Sequence, residues 1–179
     1  MRAELNLEGE FVVGHVGRFQ KQKNHKFLLE IFKEILEKNE KARLVLVGGN
    51  GELLDETKAY AKELDIPEKV LFLGNRADVP KLLSAFDVLV FPSFFEGMPN
   101  VVIESQAASL PCLISDTITP EADITGLVKY LSLSKSANEW AQEALLQAQY
   151  HERKSHKEEF YKKGYEIKAV VEKFKELVF

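Results

Sequence analysis

The chain has 179 residues, of which 45% are hydrophobic, and its formal net charge is −4 at pH 7. This composition predicts one soluble domain, residues 1–179, whose core is large enough to fold without disulfides. Acidic and basic residues are interspersed, which argues against nucleic-acid binding, and no apolar run reaches membrane-spanning length. The single cysteine, Cys112, indicates a buried core thiol rather than a nucleophile. We therefore expect a cytoplasmic protein.

Short apolar runs alternate with amphipathic segments along most of the chain. Because the runs are continuous and β-branched, they are typical of strands covered on both faces of a parallel sheet. The predicted strands are 11–16, 44–47, 70–73, 88–91 and 112–114, with an edge strand at 127–131. The predicted helices are 24–38, capped by Asn24, then 53–64, 79–85, capped by Asp78, 100–109, 139–149 and 155–177. The pattern predicts an α/β fold, a Rossmann-like doubly wound parallel sheet with helices on both faces and extra C-terminal helices.

Ligands of open parallel sheets bind beyond the carboxyl ends of the strands, so the residues that follow each run should meet. Gly17-Arg18 follow the first run, Gly74-Asn75-Arg76 follow the third, and a turn that contains Glu96 follows the fourth. The second run ends in Gly48-Gly49-Asn50-Gly51, which lacks the full spacing of a dinucleotide-binding loop. A strand-to-helix turn that needs positive φ explains these glycines equally well.

Two cations, Arg18 and Lys23, stand in the loop that enters the first predicted helix. Arginine offers a planar fork for paired phosphate oxygens and lysine a point charge, so the two could clamp a diphosphate. The competing interpretation is a solvated basic loop. Spacing alone favours the solvated loop, because Lys21 lies between the two cations and lysine is common on protein surfaces.

Two carboxylates lie on either side of the start of the fourth predicted helix. Glu96 stands in the turn before the helix, and Glu104 stands one turn into it. The start of a helix suits phosphate, whereas an ionised carboxylate only accepts hydrogen bonds and suits vicinal sugar hydroxyls. The pair therefore favours a nucleotide-sugar site. The alternative is a capping carboxylate beside a solvent-facing helix glutamate, and Arg76 is open to pairing with either Asp78 or Glu96.

Other catalytic constellations find little support. The histidines have no metal-ligand spacing, and His15 lies inside the first strand run, where a satisfied core histidine is favoured over a catalytic base. Ser93 lacks the glycine-flanked elbow of serine hydrolases.

These motifs together resemble the carboxyl-terminal, donor-binding half of family-4 retaining glycosyltransferases of the GT-B fold, of the bacterial polysaccharide-synthesis type. The similarity covers residues 11–114, and no metal or other cofactor is expected from it. It rests on Gly17-Arg18-Phe19 with Lys23-Asn24, the glycines after the second and third runs, the run that ends in Pro92-Ser93, and Glu96 and Glu104 with seven residues between them.

The resemblance implies a role for each matching position. Arg18 and Lys23 would hold the diphosphate, Glu96 would accept hydrogen bonds from the transferred sugar, and Glu104 would bind the ribose. These three groups, Glu96, Arg18 and Lys23, are the catalytic candidates. The full donor-binding set is Gly17, Arg18, Lys23, Asn24, Gly74, Asn75, Arg76, Glu96, Gly97, Met98, Pro99, Asn100, Val101 and Glu104, with the Gly74 turn reading the base through its backbone.

The resemblance also implies a missing half. Enzymes of this fold carry the acceptor site on an amino-terminal domain, and residues 1–9 are too few to form one, so we expect a truncated chain or an isolated module that binds a UDP-sugar without transferring it. The acceptor would be a lipid-linked molecule or a glycan, and the full-length protein would work in exopolysaccharide, capsule or lipopolysaccharide synthesis, peripheral to the inner face of the membrane. The family usually has glycine where this chain has Ala108-Ser109-Leu110-Pro111.

Two other functions stay open on the sequence. A sugar-nucleotide epimerase or a phosphorylase can share this fold. A non-catalytic, flavodoxin-like interaction module is the third possibility, although it predicts an acidic phosphoacceptor cluster where Gly17-Arg18 stand.

Overall fold

The computed structural model describes residues 1–165, and within them six strands form one parallel sheet. The strands are β1 Phe11–Val16, β2 Ala42–Val47, β3 Val70–Phe72, β4 Val88–Phe91, β5 Cys112–Ser115 and β6 Val128–Leu131. Their order in the sheet is β3-β2-β1-β4-β5-β6, and every neighbouring pair runs parallel. The doubly wound fold is confirmed, because the chain builds outward from β1 in one direction and then from β4 in the other.

Helices connect the strands and cover both faces of the sheet. They are α1 His25–Lys38, α2 Leu54–Glu63, α3 Val79–Leu83, α4 Asn100–Ala107, α5 Ala137–Gln149 and α6 Lys157–Lys162. Short 3₁₀ turns at Ala3–Leu5, Lys21–Lys23, Pro67–Lys69 and Pro120–Ala122 complete the described elements.

Two apolar cores lie on opposite faces of the sheet, because successive strand residues point to opposite sides. In β1, Val13 packs with the buried side chains of α1 and with Trp140 of α5. Its neighbour Val12 instead packs with Phe86 and with Val102 of α4. Both faces of the strands are thus removed from water, which is why the strand runs are apolar without alternation.

Three local expectations are wrong in detail. The side chain of Asn24 does not cap α1 in the described structure; it donates from Nδ2 to the carbonyl of Pro92 at 3.2 Å. Asp78 likewise leaves the start of α3 uncapped among the described residues, because both of its carboxylate oxygens accept from Arg76, at 2.8 and 2.7 Å. The helix expected at 155–177 is not continuous, since α6 is followed by Gly164 at φ 75, and residues 166–179 lie outside the described part.

The turn after α4 contains no glycine and is held by contacts from the segment that follows α5. Ser109 adopts a left-handed conformation, with φ 51, and its Oγ accepts a hydrogen bond from the backbone N–H of Lys154 at 3.0 Å. The Nε2 atom of His151 lies 2.7 Å from the carbonyl oxygen of Ser109. The segment that leaves α5 therefore ties down a turn that L-residues adopt at a cost.

Candidate functional site

A cleft opens where β1 and β4 lie side by side, which is the point at which the strand order reverses and the crossover helices leave on opposite faces. Its volume is about 380 Å³. Residues from the β1–α1 loop line one wall, and the β4–α4 loop with the first turn of α4 lines the other. They are Val16, Gly17, Arg18, Gln20, Gln22, Lys23, Phe91, Glu96, Met98, Pro99, Asn100 and Val101.

The two predicted cations share this cleft but differ in their surroundings. Arg18 is exposed, and its guanidinium makes no hydrogen bond or ion pair with any of residues 1–165. The Lys23 ammonium donates to Oε1 of Glu96 at 2.6 Å and lies 4.7 Å from the centre of the Phe91 ring. Only one of its three N–H groups is needed for Glu96, so the others remain able to donate to an anion.

The start of α4 contributes backbone donors to the same cleft. Val102 donates its N–H to the carbonyl of Pro99 at 2.9 Å, while the N–H groups of Asn100 and Val101 have no acceptor in the described structure. Free N–H groups and the positive end of the helix dipole favour an anion there. The cleft therefore combines two side-chain cations, a helix amino terminus and one carboxylate.

Several predicted donor residues lie outside the cleft lining. Glu104 is exposed on α4, and Asn75 and Arg76 stand beyond β3. Arg76 forms a bidentate pair with Asp78, so of the two partners considered for it Asp78 is the one observed. In the same turn Gly74 has φ 64, and its carbonyl accepts a hydrogen bond from the Gly48 N–H at 3.0 Å.

The glycines after β2 serve close packing and not a positive-φ turn. Among the described glycines the left-handed region holds Gly9, Gly74, Gly126 and Gly164, and not Gly48, Gly49 or Gly51, so that part of the prediction is wrong. A Cβ on Gly48 would overlap the carbonyl oxygen of Gly17, and one on Gly51 would overlap the backbone of Phe19. These glycines let the β2 loop support the loop that carries Arg18.

A buried histidine pair lies beneath Lys23. His15 and His25 meet edge to face with ring centres 4.9 Å apart, and His25 stacks on Phe19. Nδ1 of His15 donates to the carbonyl of Val90 at 3.0 Å, whereas its Nε2 and both nitrogens of His25 have no partner within the described residues. Burial, aided by the nearby charge of Lys23, lowers the pKa of both rings, that of His25 to about 4. Both rings are therefore uncharged at pH 7. The prediction that His15 is a core histidine with satisfied hydrogen bonds is confirmed for its Nδ1 atom and wrong for its Nε2 atom.

Comparison with known proteins assigns the family. Residues 1–167 match the family model described as "Glycosyl transferases group 1". The chain belongs to the group 1 glycosyl transferases.

Relatives of this chain include named bacterial glycosyltransferases. EpsF of Bacillus subtilis, which carries a glycosyltransferase name, is 43% identical over 132 residues, 73% of this chain and 34% of its own length. An Escherichia coli protein named as a UDP-Gal:alpha-D-GlcNAc-diphosphoundecaprenol alpha-1,3-galactosyltransferase is 41% identical over 108 residues, 59% of this chain and 28% of its own. The chain thus spans about a third of the length of the curated relatives it matches.

Solved structures of glycosyltransferases have the same fold. The carboxyl-terminal domain of the group 1 protein LpcC from Francisella tularensis superimposes with a TM-score of 0.75 at 20% identity, covering 92% of this chain and 91% of that one. HepE from Anabaena, in complex with UDP and glucose, gives a TM-score of 0.72 at 22% identity, covering 81% and 40%. The expected match to the carboxyl-terminal half of a GT-B enzyme is confirmed.

Sequence reasoning missed one feature beside this group 1 site and four residues that line it, Val16, Gln20, Gln22 and Phe91. Gln22 lines the cleft and bonds to the facing loop, but a polar residue between two lysines carries no sequence signal of such a role. A second cleft of about 390 Å³ lies between α1 and α2, beside His25 and Phe94. Two of its polar side chains are already engaged, since Tyr60 donates to Glu30 and Thr57 donates to the carbonyl of Leu53.

Cys112 is fully buried, and burial raises the pKa of its thiol, as expected for a core cysteine. Among residues 1–165 no three His, Cys, Asp or Glu side chains gather in a group suited to a metal ion. Of the described helices, none has the length and apolar character needed to cross a membrane.

Proposed function

We propose that this chain is the donor-binding half of a retaining glycosyltransferase and that the cleft between β1 and β4 binds a UDP-sugar. The observation that carries the proposal is the meeting of Arg18, Lys23 and the amino terminus of α4 around one cleft, with Glu96 at its wall. Three sources of positive potential suit a diphosphate, and a carboxylate that only accepts hydrogen bonds suits sugar hydroxyls.

Each group then has a distinct task. Arg18 and Lys23 neutralise the diphosphate and stabilise it as the leaving group when the sugar is transferred, so that protein cations supply the charge and no metal is required. Glu96 accepts hydrogen bonds from the transferred sugar. Glu104 accepts from the ribose hydroxyls, and the backbone at Gly74 and Asn75 contacts the base.

Two comparisons support the choice of nucleotide. HepE, which shares the fold, has been solved with UDP and glucose and with UDP-glucose. The Escherichia coli relative is named for its use of UDP-Gal. A uridine nucleotide is therefore the first probe to test.

Calorimetric titration of the chain with UDP and GDP tests the site directly. We expect saturable UDP binding, and Arg18→Ala should weaken it about tenfold because a charge-assisted contact is lost. Lys41→Ala is the matched control, since it removes an exposed positive charge beside the amino end of β2, at the opposite edge of the sheet. Absence of saturable binding to either nucleotide, or equal effects of both substitutions, would contradict the proposal. Equal UDP affinity with Mg²⁺ and with EDTA is expected for a site that uses no metal.

The acceptor is proposed from the relatives' names. The Escherichia coli and Campylobacter jejuni relatives are named for acceptors linked to undecaprenyl diphosphate. We propose that the protein carrying this chain adds a sugar to a lipid-linked or growing glycan during surface polysaccharide synthesis, at the cytoplasmic face of the membrane. Incubating that gene product with UDP-[¹⁴C]galactose or UDP-[¹⁴C]glucose and an undecaprenyl-diphosphate-linked sugar tests this. Epimerised nucleotide without a glycosidic product would favour the epimerase alternative instead.

A further inference from the structure

We infer that Gln22 is a positioning residue that holds Glu96 in place and thereby sets how strongly the site prefers a nucleotide sugar over the bare nucleotide. The inference rests on the proposed function for its ligand, but the contacts that carry it are independent of that function. They join the β1–α1 loop to the β4–α4 loop across the cleft.

The segment Gln22-Lys23-Asn24 contacts the facing loop at successive points. The backbone carbonyl of Gln22 accepts from Phe94 N–H at 2.9 Å, and its side-chain Nε2 donates to the carbonyl of Phe95 at 2.8 Å. Lys23 pairs with Glu96 at 2.6 Å, and Asn24 donates to Pro92. Three consecutive residues thus hold the loop from Pro92 to Glu96.

Apolar packing contributes little to the position of this loop. The exposed fraction is 43% for Phe94, 62% for Phe95 and 42% for Met98, so these large side chains bury only part of their surface. A loop that gains little from burial takes its position from its hydrogen bonds. The paired bonds to Gln22 are therefore a main determinant of where this loop lies.

The bond to Phe95 acts on Glu96 through the peptide plane. The Phe95 carbonyl and the Glu96 N–H belong to one rigid planar unit, so fixing the carbonyl also fixes the direction in which Glu96 leaves the backbone. Lys23 fixes the other end of Glu96, at its carboxylate. Gln22 thus orients the backbone of Glu96, and Lys23 orients its carboxylate.

This division predicts a selective effect of substitution. Gln22→Met keeps the length and the backbone bond to Phe94 but removes the donor to Phe95. If Glu96 contacts the transferred sugar, its displacement weakens sugar-dependent affinity and leaves the nucleotide contacts of Arg18 unchanged. A merely structural role would weaken both ligands together.

Titration with UDP, UDP-glucose and UDP-galactose tests the inference, with Gln147→Met as control because Gln147 donates only to Glu143 on the surface of α5. In Gln22→Met we expect the UDP dissociation constant within about twofold of the parent's and that of the tighter UDP-sugar raised about fivefold. Equal weakening of both ligands, no weakening of either, or a parent that binds neither UDP-sugar more tightly than UDP would overturn the inference.

Amide hydrogen exchange gives a second, ligand-free measurement. Residues 94–98 should exchange faster in Gln22→Met than in the parent, while Gln147→Met should leave them unchanged. Unchanged exchange in Gln22→Met overturns the positioning role even if no nucleotide binds. Faster exchange together with no UDP binding by the parent would show that the Gln22 hydrogen bonds are structural contacts only, and it would reject both the proposed donor site and the sugar-selective role.

Discussion

The Nζ atom of Lys23 lies 2.6 Å from Oε1 of Glu96, and the two side chains are only 16% and 9% exposed. This pair joins residues 73 positions apart in the chain, from two loops that meet because β1 and β4 are neighbours. A cation expected for phosphate and a carboxylate expected for a sugar are thus joined in one ion pair.

Replacing only one member of this ion pair should destabilise the protein. Lys23→Met leaves the Glu96 carboxylate shielded from water without its partner, and we expect the free energy of unfolding to fall by about 3 kcal/mol. Urea denaturation measures the change. Lys135→Met is the control, because Lys135 and Glu139 form an exposed pair whose loss should matter much less. Equal losses for the two variants would show that the Lys23 pair is effectively solvated.

Glu104 is expected to act on the ribose alone. Glu104→Ala should weaken UDP binding about tenfold while leaving inorganic pyrophosphate unchanged, because pyrophosphate contacts only the cations and the start of α4. Competition titrations with both ligands measure the effect. The exposed Glu8→Ala is the control for the change of charge. A parallel loss of pyrophosphate affinity would show that Glu104 acts through the structure of the site and not through the ribose, because removal of a negative charge by itself would strengthen pyrophosphate binding.

The close contact between Gly48 and the backbone of Gly17 predicts that substitutions of Gly48 and Gly97 affect stability differently. Gly48→Ala should destabilise the protein by about 3 kcal/mol and weaken UDP binding, because its methyl group pushes the Gly17 backbone and with it Arg18. A Cβ on Gly97 meets nothing within 4 Å, and Gly97 is not in the left-handed region, so Gly97→Ala should change stability by less than about 0.5 kcal/mol. Thermal unfolding of the two variants distinguishes them, and similar melting temperatures would refute the packing argument.

The buried histidines predict loss of stability in acid. Burial, aided by Lys23, lowers the pKa of His25 from 6.5 to about 4 in the folded state, so between these values the unfolded chain binds the extra proton. Stability is therefore complete above about pH 6.5 and falls as the pH drops toward 4, by on the order of 3 kcal/mol from this residue.

His25→Leu tests this assignment. The imidazole nitrogens have no partner in the described part of the chain, so leucine leaves no broken hydrogen bond behind. Urea unfolding at pH 7 and pH 4.5 should show a smaller difference in the variant than in the parent, with the remainder due to His15, whose pKa is also lowered. If the difference in stability between pH 7 and pH 4.5 is the same in the variant as in the parent, the acid sensitivity comes from residues other than His25.

Local patterns predicted the elements well where they are apolar and regular. The runs at β1 and β4 are recovered with their bounds, because a strand covered on both faces must be apolar at every position. Side-chain roles at helix starts were predicted less well. Asn24 and Asp78 resemble caps in sequence, yet each binds a partner that local spacing does not reveal, Pro92 in one case and Arg76 in the other.

The sequence by itself determined the doubly wound sheet and the sheet edge at which the candidate site lies, because hydrophobic periodicity encodes each element and the residues after each strand follow from it. It also singled out Arg18, Lys23 and Glu96. Only the tertiary structure decided that Lys23 pairs with Glu96, that Gln22 holds the Glu96 loop, and that Gly48 supports Gly17. Those contacts depend on which strands become neighbours and how their loops fold over one another, and no local pattern records that.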